Sequence, residues 1–162
     1  MNLIGYTVRD VVSGLTGIAT RYIEMLSGSK QYAIQPRGDG KEMPAGYDID
    51  VQTVEAVSPR VLAVISPDPN VVVRLGDEVE DIITGLRGIA TVKTTFANGC
   101  TYFDVVGRKT PDDDDPKAAF VEHKRLKVIK MQRFQSERAQ IVGGAQPAPE
   151  TGGPMARMRS AR

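Results

Sequence analysis

The sequence predicts an all-β protein, built as two small barrels in tandem and followed by a flexible C-terminal tail. Three observations predict it. The stretch Ser13-Gly14-Leu15-Thr16-Gly17-Ile18-Ala19-Thr20 returns seventy-one positions later as Thr84-Gly85-Leu86-Arg87-Gly88-Ile89-Ala90-Thr91. The match extends outward: Gly5, Val8 and Asp10 are also repeated, Ile4 is answered by Leu75, and Val11-Val12 by Ile82-Ile83. Such self-similarity means two copies of one supersecondary unit. Second, the segments between turns are short, β-branched and alternating, which is the pattern of strands. Third, glycine-bearing turns separate them at close intervals, as in hairpin-rich folds.

In copy one, residues 6–12 alternate Tyr6, Val8, Asp10 and Val12 with Thr7, Arg9 and Val11. Both faces are well populated, as in a strand of a small barrel. Ser13-Gly14 supplies the turn, since glycine accepts the positive φ of tight hairpins. Residues 16–25 form the second strand, with Gly17 expected at a bulge or a point of close approach. A hairpin through Gly28 leads to a third strand, 30–35, which Pro36 ends because it has no N–H for a ladder. Residues 37–46 read as an exposed polar loop, and 47–50 and 54–57 as a fourth and a short fifth strand around a turn.

Copy two repeats this with strands at 78–83, 88–96 and 101–106, and with Asn98-Gly99 as the strongest short-range hairpin signal in the chain. A long loop over 107–116 carries the acidic run 112–115, read as a solvated surface. The last two strands fall at 120–122 and 126–129, after a one-residue slip in the alignment. The expected domains are 1–60 and 73–130, joined by a linker at 61–72 that Pro67 and Pro69 stiffen. Residues 131–162 form an extension. A short amphipathic helix fits 130–141, and beyond Gly143 the Gly/Pro-rich composition cannot bury a core. The expected core equivalents are Val8, Leu15, Ile18 and Ile34 in one copy and Val79, Leu86, Ile89 and Val105 in the other. The expected turn glycines are Gly14, Gly17, Gly28, Gly85, Gly88 and Gly99.

Composition narrows function by exclusion. The net charge of +1 argues against strong nonspecific attraction to nucleic acid. One cysteine, Cys100, and one histidine, His123, rule out an internal disulfide and a cysteine cluster for zinc. No apolar run approaches the length of a membrane span, and the N-terminus shows no secretory signal. Cys100 and His123 are the only pair that could begin nucleophilic catalysis. Copy one has Ser29 and Val51 in their places, so both read as structural. Asp10 and Asp81 are expected to accept hydrogen bonds from the following turn, from its backbone or from the Ser13 and Thr84 hydroxyls. The glycines do not form a phosphate loop, because no strand-to-helix transition with Gly-Lys-Ser/Thr follows them. No catalytic, cofactor or metal residue is expected, and no small-molecule substrate.

The spacing Gly5-x-x-Val8-x-Asp10-x-x-Ser13-Gly14-x-x-Gly17-Ile18-Ala19 resembles the KOW pattern of ribosomal and transcription-factor SH3-like domains. Five short strands with a short final turn are similar to an SH3-like barrel. Val79-x-Asp81-x-x-Thr84-Gly85-x-x-Gly88-Ile89-Ala90-Thr91 with Asn98-Gly99-Cys100, and Tyr32-x-Ile34-Gln35-Pro36 in copy one, resemble small proteins encoded by tailed bacteriophages. That resemblance implies a non-enzymatic virion structural protein of the capsid decoration, or cement, kind. It would be made in the host cytoplasm and bind the capsid exterior. Its implied partners are the major capsid protein and neighbouring copies of itself. The apolar and basic residues Met131, Arg133, Phe134, Arg138 and Ile141 are the candidate partner-binding set. Two alternatives remain open. One is a KOW-type nucleic-acid-binding protein using Lys124, Arg125, Lys127, Lys130, Arg133 and Arg138 with Phe134 to stack a base. Copy one lacks such a cluster and the chain has no Trp, so nucleic acid is not the expected partner. The other is a head–tail connector or baseplate adaptor of the same fold.

Overall fold

The computed structural model describes residues 2–108 and 116–131. It is all-β, with ten strands, two single 3-10 turns and no α-helix among the described residues. Copy one contributes β1 (Tyr6–Asp10), β2 (Thr16–Met25), β3 (Lys30–Gln35), β4 (Tyr47–Asp50) and β5 (Val54–Arg60). Copy two contributes β6 (Glu78–Asp81), β7 (Arg87–Phe96), β8 (Thr101–Gly107), β9 (Ala118–Glu122) and β10 (Leu126–Lys130). The 3-10 turns, Val51–Thr53 and His123–Arg125, precede β5 and β10. Their spacing places the one-residue slip between the copies ahead of the fourth strand.

All pairings are antiparallel. Within copy one the neighbours run β5-β1-β2-β3-β4, and within copy two β10-β6-β7-β8-β9. The two sets join through β2 and β7 into one connected sheet. The sheet register shifts between Ala19 and Arg21 in β2 and between Ala90 and Val92 in β7, so a bulge sits at Thr20 and at Thr91. A bulge bends its strand and breaks the ladder locally. Residues before it, Thr16 to Ile18, pair with β1, while residues after it, Arg21 to Met25, pair with β7.

The β2–β7 pairing has a symmetry of its own. Ile23 lies opposite Thr94, its own counterpart in the repeat, with Arg21 opposite Phe96 and Met25 opposite Val92. Just outside the ladder the Leu26 N–H donates to the Thr91 carbonyl at 2.7 Å, and the Ala97 N–H to the Thr20 carbonyl at 3.1 Å. Each bulge threonine therefore offers its carbonyl to the other copy. The copies meet as the halves of a two-fold dimer would, the same segment on both sides, but within one chain.

Each copy has its own core. Ile4, Val8, Ala19, Tyr32 and Ile34 are buried together in copy one, with Leu15 and the linker residue Val64 against them. Val73, Val79, Ala90, Phe103, Val105, Val121 and Leu126 form the second cluster, with Leu86 at its edge. Ala97, from the β7–β8 hairpin, packs on the first cluster, so the copies share apolar contact as well as backbone bonds. The linker is fixed too: Val61 and Leu62 donate to the Gly5 carbonyl at 2.8 and 3.0 Å, and Ile65 to that of Ala97 at 2.9 Å.

The structure differs from the sequence reading at several positions. Ile18 and Ile89 are half-buried and stand outside both clusters; their neighbours Ala19 and Ala90, with no exposed surface, take the core positions. The phase is set by Gly17 and Gly88, which face inward against the next strand. Second, Gly17 and Gly88, expected among the turn glycines, lie inside β2 and β7; of the two roles open to Gly17, close approach is the one found, since a Cβ there would lie 2.5 Å from the Gln35 carbonyl oxygen, and one on Gly88 would meet that of Val106. Third, β1 and β6 stop at Asp10 and Asp81, leaving Val11-Val12 and Ile82-Ile83 in turns. Lys130 belongs to β10, which corrects the start of the helix expected over 130–141. The rest of that segment, apart from Met131, and the acidic run 112–115 lie outside the described residues.

Candidate partner-binding surfaces

The early stop of β1 and β6 has a chemical cause. The Asp10 carboxylate accepts the Ser13 hydroxyl at 2.5 Å, the Ser13 N–H at 3.0 Å and the Val12 N–H at 3.3 Å. Those N–H groups are thereby removed from any ladder. Asp81 repeats the arrangement, with the Thr84 hydroxyl at 2.6 Å and the Ile83 N–H at 3.2 Å. Gly14 and Gly85 close each turn by donating to the carbonyl of Asp10 or Asp81 at 2.8 Å. The Val11 N–H donates to the Thr53 carbonyl and the Ile82 N–H to that of Arg125, tying each turn to a 3-10 segment.

The consequence is a pair of well-held turns that display apolar side chains to solvent. Val11 and Val12 are 56% and 78% exposed, and Ile82 and Ile83 are 64% and 70% exposed. A single exposed aliphatic residue needs no explanation, but the same exposed pair in both copies makes a repeated apolar feature. An Asp followed at the third place by Ser or Thr and then by Gly is the signal in the sequence that ends the strand there. The β-branched run beside it points the other way, which is why the sequence reading carries the strand too far.

The carboxylates are strongly acidic. Hydrogen bonds from the Ser13 hydroxyl first, and from the Thr53 hydroxyl second, hold Asp10 down to about 2. Asp81 is held lower still, chiefly by Arg125 and next by the Thr84 hydroxyl. Arg125 Nε and Nη2 donate to the two Asp81 oxygens at 3.1 and 2.5 Å. This bidentate pair joins residues far apart in sequence and has no counterpart in copy one, where Thr53 holds the equivalent place.

Of the partner-binding set read from the sequence, Met131 is described and lies largely exposed. It borders a hollow of about 410 Å3 with Val71, Val72, Arg74 and Asp77. Arg133, Phe134, Arg138 and Ile141 lie outside the described residues. The structure does bring Cys100 and His123 to one place, a hollow of about 200 Å3 beside the linker, with Asp68, Glu122 and Lys124. His123 is nearly buried, and its Nε2 lies 3.6 Å from Asp68 Oδ2, which Lys124 Nζ approaches at 3.9 Å. Cys100 N donates to the Asn98 side chain at 3.1 Å, which is the hydrogen bond of the Asn-Gly turn. Among the described residues no set of three or more His, Cys, Asp and Glu could hold a metal ion, and no helix is long and apolar enough to cross a membrane.

Copy two carries a cluster of three aromatic rings, where copy one has the single pair Tyr22–Tyr32 with centroids 5.2 Å apart. Tyr102 and Phe120 stack with centroids 4.8 Å apart, and Phe96 meets Tyr102 edge-on at 5.7 Å. The matching positions of copy one are Met25, Gln31 and Asp48. No protein-family model, curated protein or solved structure matches the chain.

Proposed function

We propose that the chain is a non-enzymatic structural protein of a tailed-phage virion, a capsid decoration protein made of two SH3-like barrels in tandem. It binds the outer face of the head and bridges neighbouring major capsid subunits. The observation that carries this reading is the bivalent body made by the β2–β7 pairing, which presents the same exposed aliphatic turn from each copy. A fixed pair of equivalent contacts suits a surface that itself repeats, because the second contact forms intramolecularly and raises avidity without a strong single site. In each copy the strand order and the 3-10 turn before the last strand support the SH3-like reading, as does the KOW-like spacing.

The test is cosedimentation of the full chain with emptied heads and, separately, with purified tails. Binding to heads is expected, and it should fall sharply when Val12 and Ile83 are both changed to Ser. Attachment to tails alone would move the protein to a connector or baseplate role. The aromatic cluster, with Arg125 in electrostatic reach of its Tyr102, favours a second reading, nucleic-acid binding. Lys124 and Arg125 are, however, already in ion pairs with Asp68 and Asp81. Salt-sensitive binding of DNA or RNA without attachment to heads would replace the decoration reading.

A further inference from the structure

Asp10 and Asp81 hold the same turn, but only one of them faces a cation. In copy two the Arg125 guanidinium lies on Asp81 through two hydrogen bonds. In copy one no Lys, Arg or His among the described residues forms an ion pair with Asp10, which is 4% exposed. Its one partner from outside the turn is the neutral Thr53 hydroxyl, which has the Asp50 carbonyl 3.1 Å away as a second acceptor and can yield its place to a guanidinium. Asp81 Oδ1 accepts the Ile83 N–H at 3.2 Å and still takes Arg125 Nε; Asp10 Oδ1 accepts the matching Val12 N–H at 3.3 Å.

Copy one also has room. Asp10 lines a hollow of about 470 Å3 with Ser13, Gly14, Leu15, Tyr47 and Ile49. Tyr47 is half exposed, and copy two carries the small Ala119 in its place. The lining is thus a carboxylate among aliphatic surfaces and one aromatic ring. Those surfaces match the two chemistries of arginine. Its planar, weakly hydrated guanidinium pairs with carboxylates and stacks on rings, and its stem covers apolar surface. An ammonium, compact and strongly hydrated, makes poorer use of such walls.

We propose that the Asp10 hollow is a receptor for an arginine side chain presented by a protein partner, with the guanidinium on Asp10 and the stem along Leu15, Tyr47 and Ile49. Copy two has internalised the interaction through Arg125, whereas copy one leaves it to be completed from outside. The Ser13 and Thr53 hydroxyls keep Asp10 ionised throughout the neutral range, so the charge is always present. The inference stands on the difference between the copies and does not depend on the decoration role.

The test uses the full chain labelled with 15N and titrated with Nα-acetyl-L-arginine amide, with the citrulline analogue as a neutral isostere. Saturable shifts are expected at Asp10, Gly14 and Tyr47, with at least tenfold weaker binding of citrulline. Thr53→Arg copies the arrangement of copy two and should abolish those shifts while the rest of the spectrum is retained. Tyr47→Ala, at an exposed position, should weaken binding severalfold without unfolding the chain. The proposal is overturned if wild-type protein shows no saturable shifts at the turn or binds citrulline equally well. It is also overturned if folded Thr53→Arg protein binds as wild type does, or if Tyr47→Ala binds undiminished.

Discussion

Two glycines of the repeated octapeptide are kept for different reasons, and substitution separates them. Gly85 has φ +73°, and a Cβ added there would meet nothing within 4 Å; its twin Gly14 has φ +75° and the same open surroundings. Alanine at 85 therefore carries only the left-handed backbone penalty, about 1–2 kcal/mol, and asparagine, which tolerates that region better, recovers part of it. Gly88 has no positive φ. Its added Cβ would run into the Val106 carbonyl and lie 2.8 Å from Gly107 N, so main chain of β8 must move. Overpacking of this kind costs about 1–3 kcal/mol and more when no flexible side chain can yield. Against a domain stability of about 5–15 kcal/mol the difference is measurable. With a urea m-value of about 1–3 kcal/mol per molar, each 1 kcal/mol moves the midpoint by roughly 0.3–1 M. Urea melts followed by circular dichroism should rank Gly88→Ala below Gly85→Ala, and Gly88→Asn lowest of all. Gly85→Asn should lie above Gly85→Ala. Equal midpoints for the two alanine variants, or asparagine tolerated as well at 88 as at 85, would refute the close-approach argument.

The core should show the same selectivity. Ile34→Ala, at a position with no exposed surface, is expected to cost about 2–5 kcal/mol in a denaturant melt, and Ile18→Ala clearly less. Acid sensitivity follows from the turn carboxylates. Their folded values lie below the ordinary 3.8, so their stabilisation is complete above that pH and is lost as pH falls through the folded values, about 2 for Asp10 and lower for Asp81. Arg125→Met removes the main cause of the Asp81 depression. It should raise the acid-unfolding midpoint, while Lys127→Met on the exposed neighbour should not. Val12→Ser with Ile83→Ser should change stability in a urea melt by no more than about 0.5 kcal/mol, because both side chains are in solvent.

Much of the strand plan is legible in the residues because it is local. Alternation and turn glycines place β2, β3 and β4 at their observed bounds, and the repeat carries the reading from one copy to the other. What escapes is of two kinds. At Asp10 and Asp81 two short-range effects compete: the β-branched run favours a strand, but the carboxylate captures the N–H groups the strand would need. The exposed aliphatic turns are hidden from a sequence reading for that reason. The choice of Ala19 over Ile18 for the core, the Arg125–Asp81 pair and the β2–β7 seam depend instead on contacts between distant segments. Periodicity within one strand carries no information about which neighbour lies across its far half. Arg125 looks like part of a basic cluster because its acidic partner stands 44 residues away.

The β2–β7 seam also bears on how the chain is made. During synthesis copy one is complete while copy two is still inside or just outside the ribosome, so the second half of β2 waits as an unpaired strand edge. At ordinary elongation rates that interval lasts on the order of seconds, long compared with hairpin formation. The waiting edge is complementary to the matching edge of any other nascent copy one, since Ile23 could face Ile23 as it faces Thr94. Chains translated from one message are close neighbours, and edge pairing between them would give exchanged dimers. Joining both copies in one polypeptide counters this by supplying the correct edge at high effective concentration. The linker bonds from Val61 and Leu62 to Gly5 direct the following copy to the correct side as it emerges, and the Ile65 bond to Ala97 fixes it once made. The yield of monomer should accordingly fall when synthesis is stalled between the copies, an outcome visible in the size distribution of the freshly made protein.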